Sequence, residues 1–312
     1  MSFSLNVKNE LTGSMPNARH CRIAELAALT SLGGKLDEFG RLVVSAEYNL
    51  VTSRFEVLYR KIFNGDISGP AVCETRGSKQ IWSLVMNEAE TTGICELLKI
   101  KQGEPPVAAA STAMQQCCKR AYLRGAFIAC GSISNPEKDY HLEFVTDDDG
   151  RAQTILDAMA VFDVEAKLIH RKQHSVVYLK DGESIVDLLN IIEAHVCLME
   201  FENIRILKDM RNKVNRRANC DIANIDKTLK ASGRQVGDIE YLRDTIGLDA
   251  LPEDLRTTAL LRLENTECSL AELGELHPKP VGRSGVNHRL QKLSNMAATL
   301  RAGKPLNNIS EQ

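Results

Sequence analysis

The strongest constraint on this chain is that roughly its first two hundred residues are written twice. The apolar helix CRIAELAALTSLGG (21–34) matches CKRAYLRGAFIACGS (118–132), and each reaches a glycine at its end. The strand-like RLVVSAE (41–47) matches YHLEFVT (140–146), each followed by a helical stretch whose last apolar residue is Phe63 or Phe162. QIWSLVMN (80–87) then matches HSVVYLK (174–180), each leading into a short amphipathic helix, TGICELLKI or ESIVDLLNII. Equivalent positions stay about a hundred residues apart throughout, a regularity that accident does not produce.

Each unit therefore reads helix, strand, helix, strand, helix, with an extra strand such as AKLIHR at 166–171. Apolar residues alternate along the strands, so each sheet has one buried and one wet face. The expected fold is α+β: a duplicated saddle of two mixed or antiparallel sheets with central helices, then an all-α domain. The loop KQGEPPVAAASTAMQQ (101–116), with Pro105 and Pro106, is the natural link between the halves.

A length of 312 residues is long for one core and comfortable for two domains. With 43% hydrophobic and 26% charged residues the composition is globular, and no apolar window approaches the length of a membrane span. The opening MSFSLNVKNELTGSM lacks a basic leader followed by an apolar stretch, so a cytoplasmic protein is expected. The nine cysteines are scattered, odd in number and free of any C-x-x-C pair, and read as reduced core thiols. His170 and His174 form an H-x-x-x-H pair, but it spans a gap between two strands with no third ligand near, which favours a solvated hairpin connection over a metal site. No metal and no cofactor is expected.

The net charge of -2 is uninformative, but its distribution is not. Residues 279–304 contain Lys279, Arg283, Arg289, Lys292, Arg301 and Lys304 and no acid, and RILKDMRNKVNRR (205–217) has six basic residues against Asp209. From about residue 204 the pattern is helical, one stretch running to Gly233 and a second, VGDIEYLRDTI, ending at Gly247. LPEDLRTTALLRLENTE opens with Pro252 and two acids, the preference of a helix N-terminus. SLAELGELH carries a capping box, Ser269 with Glu272, and Pro278 and Pro280 stop it before a last helix at Ser284.

A short capped helix, a turn and an acid-free basic helix is the pattern of a helix-turn-helix, whose second helix enters the major groove of double-stranded DNA. On a helical wheel Val286, Leu290, Leu293, Ala297 and Leu300 form the core stripe. The opposite face carries Ser284, His288, Gln291, Lys292 and Asn295, flanked by Asn287 and Arg289. Asn and Gln pair with adenine, and Arg and Lys reach guanine or phosphate, so Lys279, Arg283, Ser284, Asn287, His288, Arg289, Gln291, Lys292 and Asn295 are the candidate DNA-binding residues. The competing reading of this face is an ordinary exposed polar helix.

With two Gly-ended helices in a repeat, the first domain resembles the LAGLIDADG homing endonucleases, in which an acid near the end of each central helix holds a shared metal. Laying that motif over LAALTSLGGK (26–35) and LRGAFIACGS (123–132) puts the catalytic acid positions at Gly33 and Cys130. Neither is a useful magnesium ligand. The nearest acids along the chain, Asp37, Glu38 and Glu137, belong to loops beyond the turns.

Four longer segments, SFSLNVKNEL, CKRAYLRGAFIACGSISNPEKDYHLEF, RRANCDIANIDKT and LPEDLRTTALLRLENTECSLAELGELHPKPVGRSGVNHRLQKL, resemble the WhiA family of bacterial sporulation and cell-division regulators nearly end to end. The resemblance implies a DNA-binding transcription factor without nuclease activity, and a WhiB-type iron-sulfur protein as partner. The implied layout is a degenerate LAGLIDADG-like domain over 1–203 (repeats about 18–100 and 117–203), a basic helical linker over 204–219, a helix-turn-helix domain over 220–304 and a flexible tail over 305–312. Two alternatives stay open: a DNA-binding module whose saddle senses a ligand or protein, and a metal-dependent endonuclease using other acids.

Overall fold

The computed structural model describes residues 2–77, 79–101 and 104–304, so the expected tail at 305–312 lies outside the described residues. The chain divides into two compact units, Met1–Asp209 and Met210–Gln312. Each has its own apolar core.

The first unit is the duplication in three dimensions. Its first half runs α2 (Arg19–Gly33), β1 (Gly34–Leu36), β2 (Leu42–Ala46), α3 (Asn49–Phe63), β3 (Val72–Arg76), β4 (Lys79–Val85) and α4 (Glu88–Leu98). Its second half repeats this as α5 (Gln116–Cys130), β5 (Gly131–Ile133), β6 (Leu142–Thr146), α6 (Asp149–Ala160), β7 (Lys167–Arg171), β8 (His174–Leu179) and α7 (Gly182–Ile191). Both sheets have four strands in equivalent order, β1-β2-β4-β3 and β5-β6-β8-β7. Every pairing is antiparallel, which removes the mixed alternative. Arg171 and His174 flank the two-residue connection of the β7-β8 hairpin, and His170 lies one pair further back, opposite Ser175.

The central helices α2 and α5 pack through small residues. A side chain at Gly125 would bring its Cβ within 2.7 Å of the Glu25 carbonyl oxygen and 2.9 Å of the Ala28 Cβ, so only glycine permits this approach. Beside the contact, buried Glu25 accepts from Arg54 Nε at 2.6 Å and lies 3.7 Å from Arg124. Arg124 also donates to the Ile192 carbonyl at 3.1 Å, tying the ion pair to the end of the second repeat.

One helix precedes the repeat and escaped the sequence reading. Helix α1 (Phe3–Gly13) is capped by Ser2 and buries Phe3, Val7 and Leu11, a stripe at spacing four that is too short to stand out in the sequence. Its Glu10 carboxylate accepts from the backbone N–H groups of Val196 (2.7 Å) and Cys197 (2.9 Å), satisfying orphan donors in the first turn of the helix that begins at His195.

Helix α8 (His195–Ile246) corrects the expected break: it is one helix of 52 residues that runs through Gly233 and Gly237. Each exposed glycine costs about 1 kcal/mol of helix propensity, and packing of the buried Ser232, Ile239 and Leu242 on either side offsets it. The second unit is completed by α9 (Glu253–Glu264), α10 (Leu270–Glu275) and α11 (Arg283–Arg301).

The cysteine expectation also needs correcting. All nine are free, but Cys73, Cys117 and Cys220 are exposed rather than core thiols.

Candidate nucleic-acid interface

Helices α10 and α11 form the expected capped helix, turn and basic helix. The capping box is present: Glu272 N–H donates to Ser269 Oγ at 3.3 Å, and Ser269 N–H donates to Glu272 Oε2 at 2.7 Å. Those bonds hold the Glu272 carboxyl below its ordinary range. The turn is drawn against α10 by the Val281 N–H, which donates to the Gly274 carbonyl at 3.0 Å. A Cβ at Gly274 would lie 2.0 Å from the Val281 carbonyl oxygen, so the absence of a side chain sets how closely α11 begins beside α10.

Burial orients α11. Val286, Leu290, Leu293 and Ala297 face the core with Ile239, Leu242, Leu251, Leu255, Ala259 and Leu273, and Leu300 packs at the margin. Ser284, Asn287, His288, Gln291 and Asn295 are exposed with Lys279 and Arg283, while Arg289 and Lys292 are half-buried. The first turn of α11 contains no acid and its N-cap, Gly282, offers no side-chain bond to the free N–H groups. That combination leaves a favourable place for an anion such as a DNA phosphate.

Arg289 is held differently from its neighbours. Its guanidinium donates to Asp254 Oδ2 of α9 at 3.0 Å, so a base contact by this residue requires exchange of that partner. Arg301, at the far end of the same acid-free segment, is engaged by Asp238 at 2.6 Å and lies over the Tyr241 ring. Both positions contribute to the helix packing of the unit.

The structure adds residues that the sequence pattern did not single out. A groove of about 380 Å³ brings Lys227 and Gln235 of α8 to the same surface as Arg283 and Asn287. Buried Arg262 donates to the Cys268 carbonyl at 2.8 Å and fixes the loop between α9 and α10. Buried His277 lies 3.3 Å from Thr258 Oγ1 and locks the turn onto α9. Burial, then the Arg289 charge, lowers the His277 pKa and keeps the ring neutral. These are long-range contacts with no local sequence signature.

The ends of the central helices carry different chemistry. Gly33 and Cys130 are the last residues of α2 and α5, as the motif register expects. Cys130 donates through sulfur to the Ala126 carbonyl at 3.4 Å, and burial pushes its thiol up to about 12, so it is a neutral thiol at physiological pH. Lys8 of α1 is buried beside it, its Nζ donating to the Ile128 carbonyl at 3.1 Å. Desolvation lowers the Lys8 pKa, with the charge of Glu47 opposing.

The carboxylate in electrostatic reach of Cys130 is Asp147, from the end of β6, rather than the loop acids counted along the chain. Asp147 is itself engaged by Lys35 at 3.6 Å, Arg151 at 3.4 Å and His174 at 3.6 Å. Of the two carboxylates near this corner, Glu47 acts on the buried Lys8 and Asp147 stands among Lys35 and Arg151, beside the neutral Cys130 thiol.

Comparison with known proteins gives a consistent pattern over both units. The model of the WhiA LAGLIDADG-like domain matches residues 119–211, and that of the WhiA C-terminal HTH domain matches 214–297. A probable cell division protein WhiA of Lachnoclostridium phytofermentans is 44% identical over 96% of this chain and 100% of its own length. A relative of the same description from Alkaliphilus oremlandii is 41% identical over 97% of this chain and 99% of its own. The crystal structure of full-length WhiA from Thermatoga maritima superposes with a TM-score of 0.60 at 25% identity, covering 96% of this chain and 98% of that one.

Proposed function

Because the chain belongs to the WhiA family, a family with a C-terminal helix-turn-helix, we propose that it is a sequence-specific regulator of transcription. In this reading it acts on genes of cell division, chromosome segregation or sporulation and is associated with the nucleoid. The observation that carries the reading is α11: a buried apolar stripe on one side, and on the other an exposed row of Ser284, Asn287, His288, Gln291 and Asn295 beside Lys279 and Arg283. Asn287 and Gln291 read bases, while Lys279 and Arg283 hold phosphate and Lys292 and Arg289 serve at the rim. Each good bidentate base contact contributes about 1–3 kcal/mol of discrimination, so one short module needs additional affinity. Lys227 of α8 and the exposed run Arg211, Lys213, Arg216 and Arg217 supply phosphate contacts, and a WhiB-type protein partner is a further source.

The first unit acts in this reading as a scaffold without nuclease activity. Gly33 and the neutral Cys130 support that assignment, as does the buried Lys8 at the helix ends. Several cations of the sheets are already paired, Lys35 with Asp147, Arg41 with Asp37 and Arg171 with Glu143, which weakens the case for a phosphate-binding saddle.

Genome-wide mapping of the full-length protein tests the proposal. The expected result is sharp sites sharing one motif upstream of genes, lost in Asn287→Ala and Gln291→Ala. Signal spread evenly along the chromosome, unchanged by those substitutions, would reduce the protein to a nonspecific DNA binder. Magnesium-dependent cleavage of the bound sites by purified protein would overturn the scaffold assignment.

A further inference from the structure

The opposite ends of the central helices, away from Gly33 and Cys130, hold a second chemistry. In the repeat register that pairs Gly33 with Cys130, Cys21 pairs with Cys118 and His20 with Cys117. The fold brings these four together from the first turns of α2 and α5. His20 Nδ1 lies 3.2 Å from Cys118 Sγ, 3.4 Å from Cys21 Sγ and 4.0 Å from Cys117 Sγ. All four ligand atoms lie within 4.8 Å of one another, and among the described residues no other group of three or more His, Cys, Asp and Glu ligands converges in this way.

We propose that His20, Cys21, Cys117 and Cys118 bind one zinc ion that staples the two repeats together. Bonds of about 2.3 Å to sulfur and 2.0–2.1 Å to nitrogen, set tetrahedrally, place the ligand atoms about 3.6–3.8 Å apart, inside the observed spread, which starts at 3.2 Å and stays within 4.8 Å. Three sulfurs and an imidazole select a soft or borderline ion over magnesium or calcium, which require oxygen. The separations suit one ion rather than a multinuclear cluster. Cys21 and Cys118 are buried against Ala24 and Ala121, whereas His20 and Cys117 are exposed, so the site has a dry floor and an entry from solvent.

In the metal-free site burial pushes the Cys21 thiol up to about 12 and raises the Cys118 thiol as well, so both keep their protons until a metal displaces them. Both first turns lack acids, their free N–H groups carry the positive end of the helix dipole, and Arg19, Arg22, Lys119 and Arg120 flank the ligands in sequence. Binding releases the thiol protons to solvent and changes no oxidation state. Four protein ligands leave no open position, which makes the site structural rather than catalytic. Its consequence is mechanical: the ion joins the start of α2 to the start of α5 across the internal repeat, supplementing the Gly125 contact farther along. The inference is independent of the DNA-binding proposal.

Metal analysis of the full-length protein, purified without chelator under reducing conditions, tests it. One equivalent of zinc per chain is expected, and replacement by cobalt(II) should give the visible absorption of a tetrahedral thiolate site. The exposed variants His20→Ala and Cys117→Ser, with unchanged circular dichroism, should lose the zinc and the cobalt spectrum. A chelator should lower the melting temperature of the natural protein but not that of the double variant. Zinc in trace amounts only, a disulfide between Cys21 or Cys117 and Cys118 in place of metal, or a cobalt spectrum unaffected by the variants would overturn the proposal.

Discussion

Gly274→Ala should cripple the helix-turn-helix although alanine is the better helix former. On propensity alone the change would stabilise α10 by about 1 kcal/mol. Against this, the new methyl would stand 2.0 Å from the Val281 carbonyl oxygen and 3.5 Å from the Val286 side chain, and the first contact is with backbone. Relief requires the turn to move by about 1 Å, which breaks the 3.0 Å bond from Val281 N–H to the Gly274 carbonyl at a cost of about 1 kcal/mol. Moving Val281 disturbs the seat of Val286 and Leu290, and strain of this kind in a packed core costs about 1–3 kcal/mol. The net loss is about 1–3 kcal/mol, and for a unit of about a hundred residues each kcal/mol lowers the melting temperature by about 4–8 °C. Calorimetry of the full chain should show the transition of the C-terminal unit falling by about 4–24 °C. Gly237→Ala is the matched control, since a Cβ there meets nothing within 4 Å in the middle of α8, and it should raise the same transition by about 4–8 °C. If Gly274→Ala melted at or above the natural protein, the steric reading of the turn would be wrong.

The buried Glu25 offers a test of the first unit: Glu25→Ala leaves Arg54 buried without its counter-charge, while Arg124 keeps Glu193; losing the buried partner of Arg54 costs about 3–5 kcal/mol, and urea unfolding followed by circular dichroism should register the loss. His277 makes the second unit sensitive to acid. Its folded pKa lies below the ordinary 6.5, so the unfolded chain binds the proton more tightly; the stability it contributes is complete above about pH 6.5 and is lost as the pH falls towards the depressed folded value. Melting temperatures measured from about pH 7 to pH 5 should drop more steeply in the natural protein than in His277→Gln. At the DNA interface, fluorescence anisotropy should find that Asn287→Ala and Gln291→Ala weaken binding to the preferred site more than to random DNA, whereas Lys279→Ala weakens both about equally and flattens the salt dependence. Equal losses at all three positions would remove base reading from α11. Arg301→Ala should act mainly through stability, because its guanidinium is committed to Asp238; a normal melting temperature with a large loss of affinity would refute that.

Much of this protein is determined by local sequence. The repeat and the strand alternation were legible because periodicity acts over a few positions. The same holds for the Ser269 and Glu272 box and for the stripe Val286, Leu290, Leu293 and Ala297, which the structure buries as the helical wheel requires. Tertiary structure decided what local energies leave nearly balanced or cannot see. Strands β1 and β5, of three residues each, exist because β2 and β6 pair with them. Helix α8 continues through two glycines because packing outweighs about 2 kcal/mol of lost propensity. Lys8, Asp147 and Cys130 meet at one corner, and His20, Cys21, Cys117 and Cys118 at another, from segments far apart in the chain. Two vicinal pairs with no C-x-x-C spacing carry no recognisable signal as a sequence; only the side-by-side packing of the two central helices, start beside start, makes them neighbours.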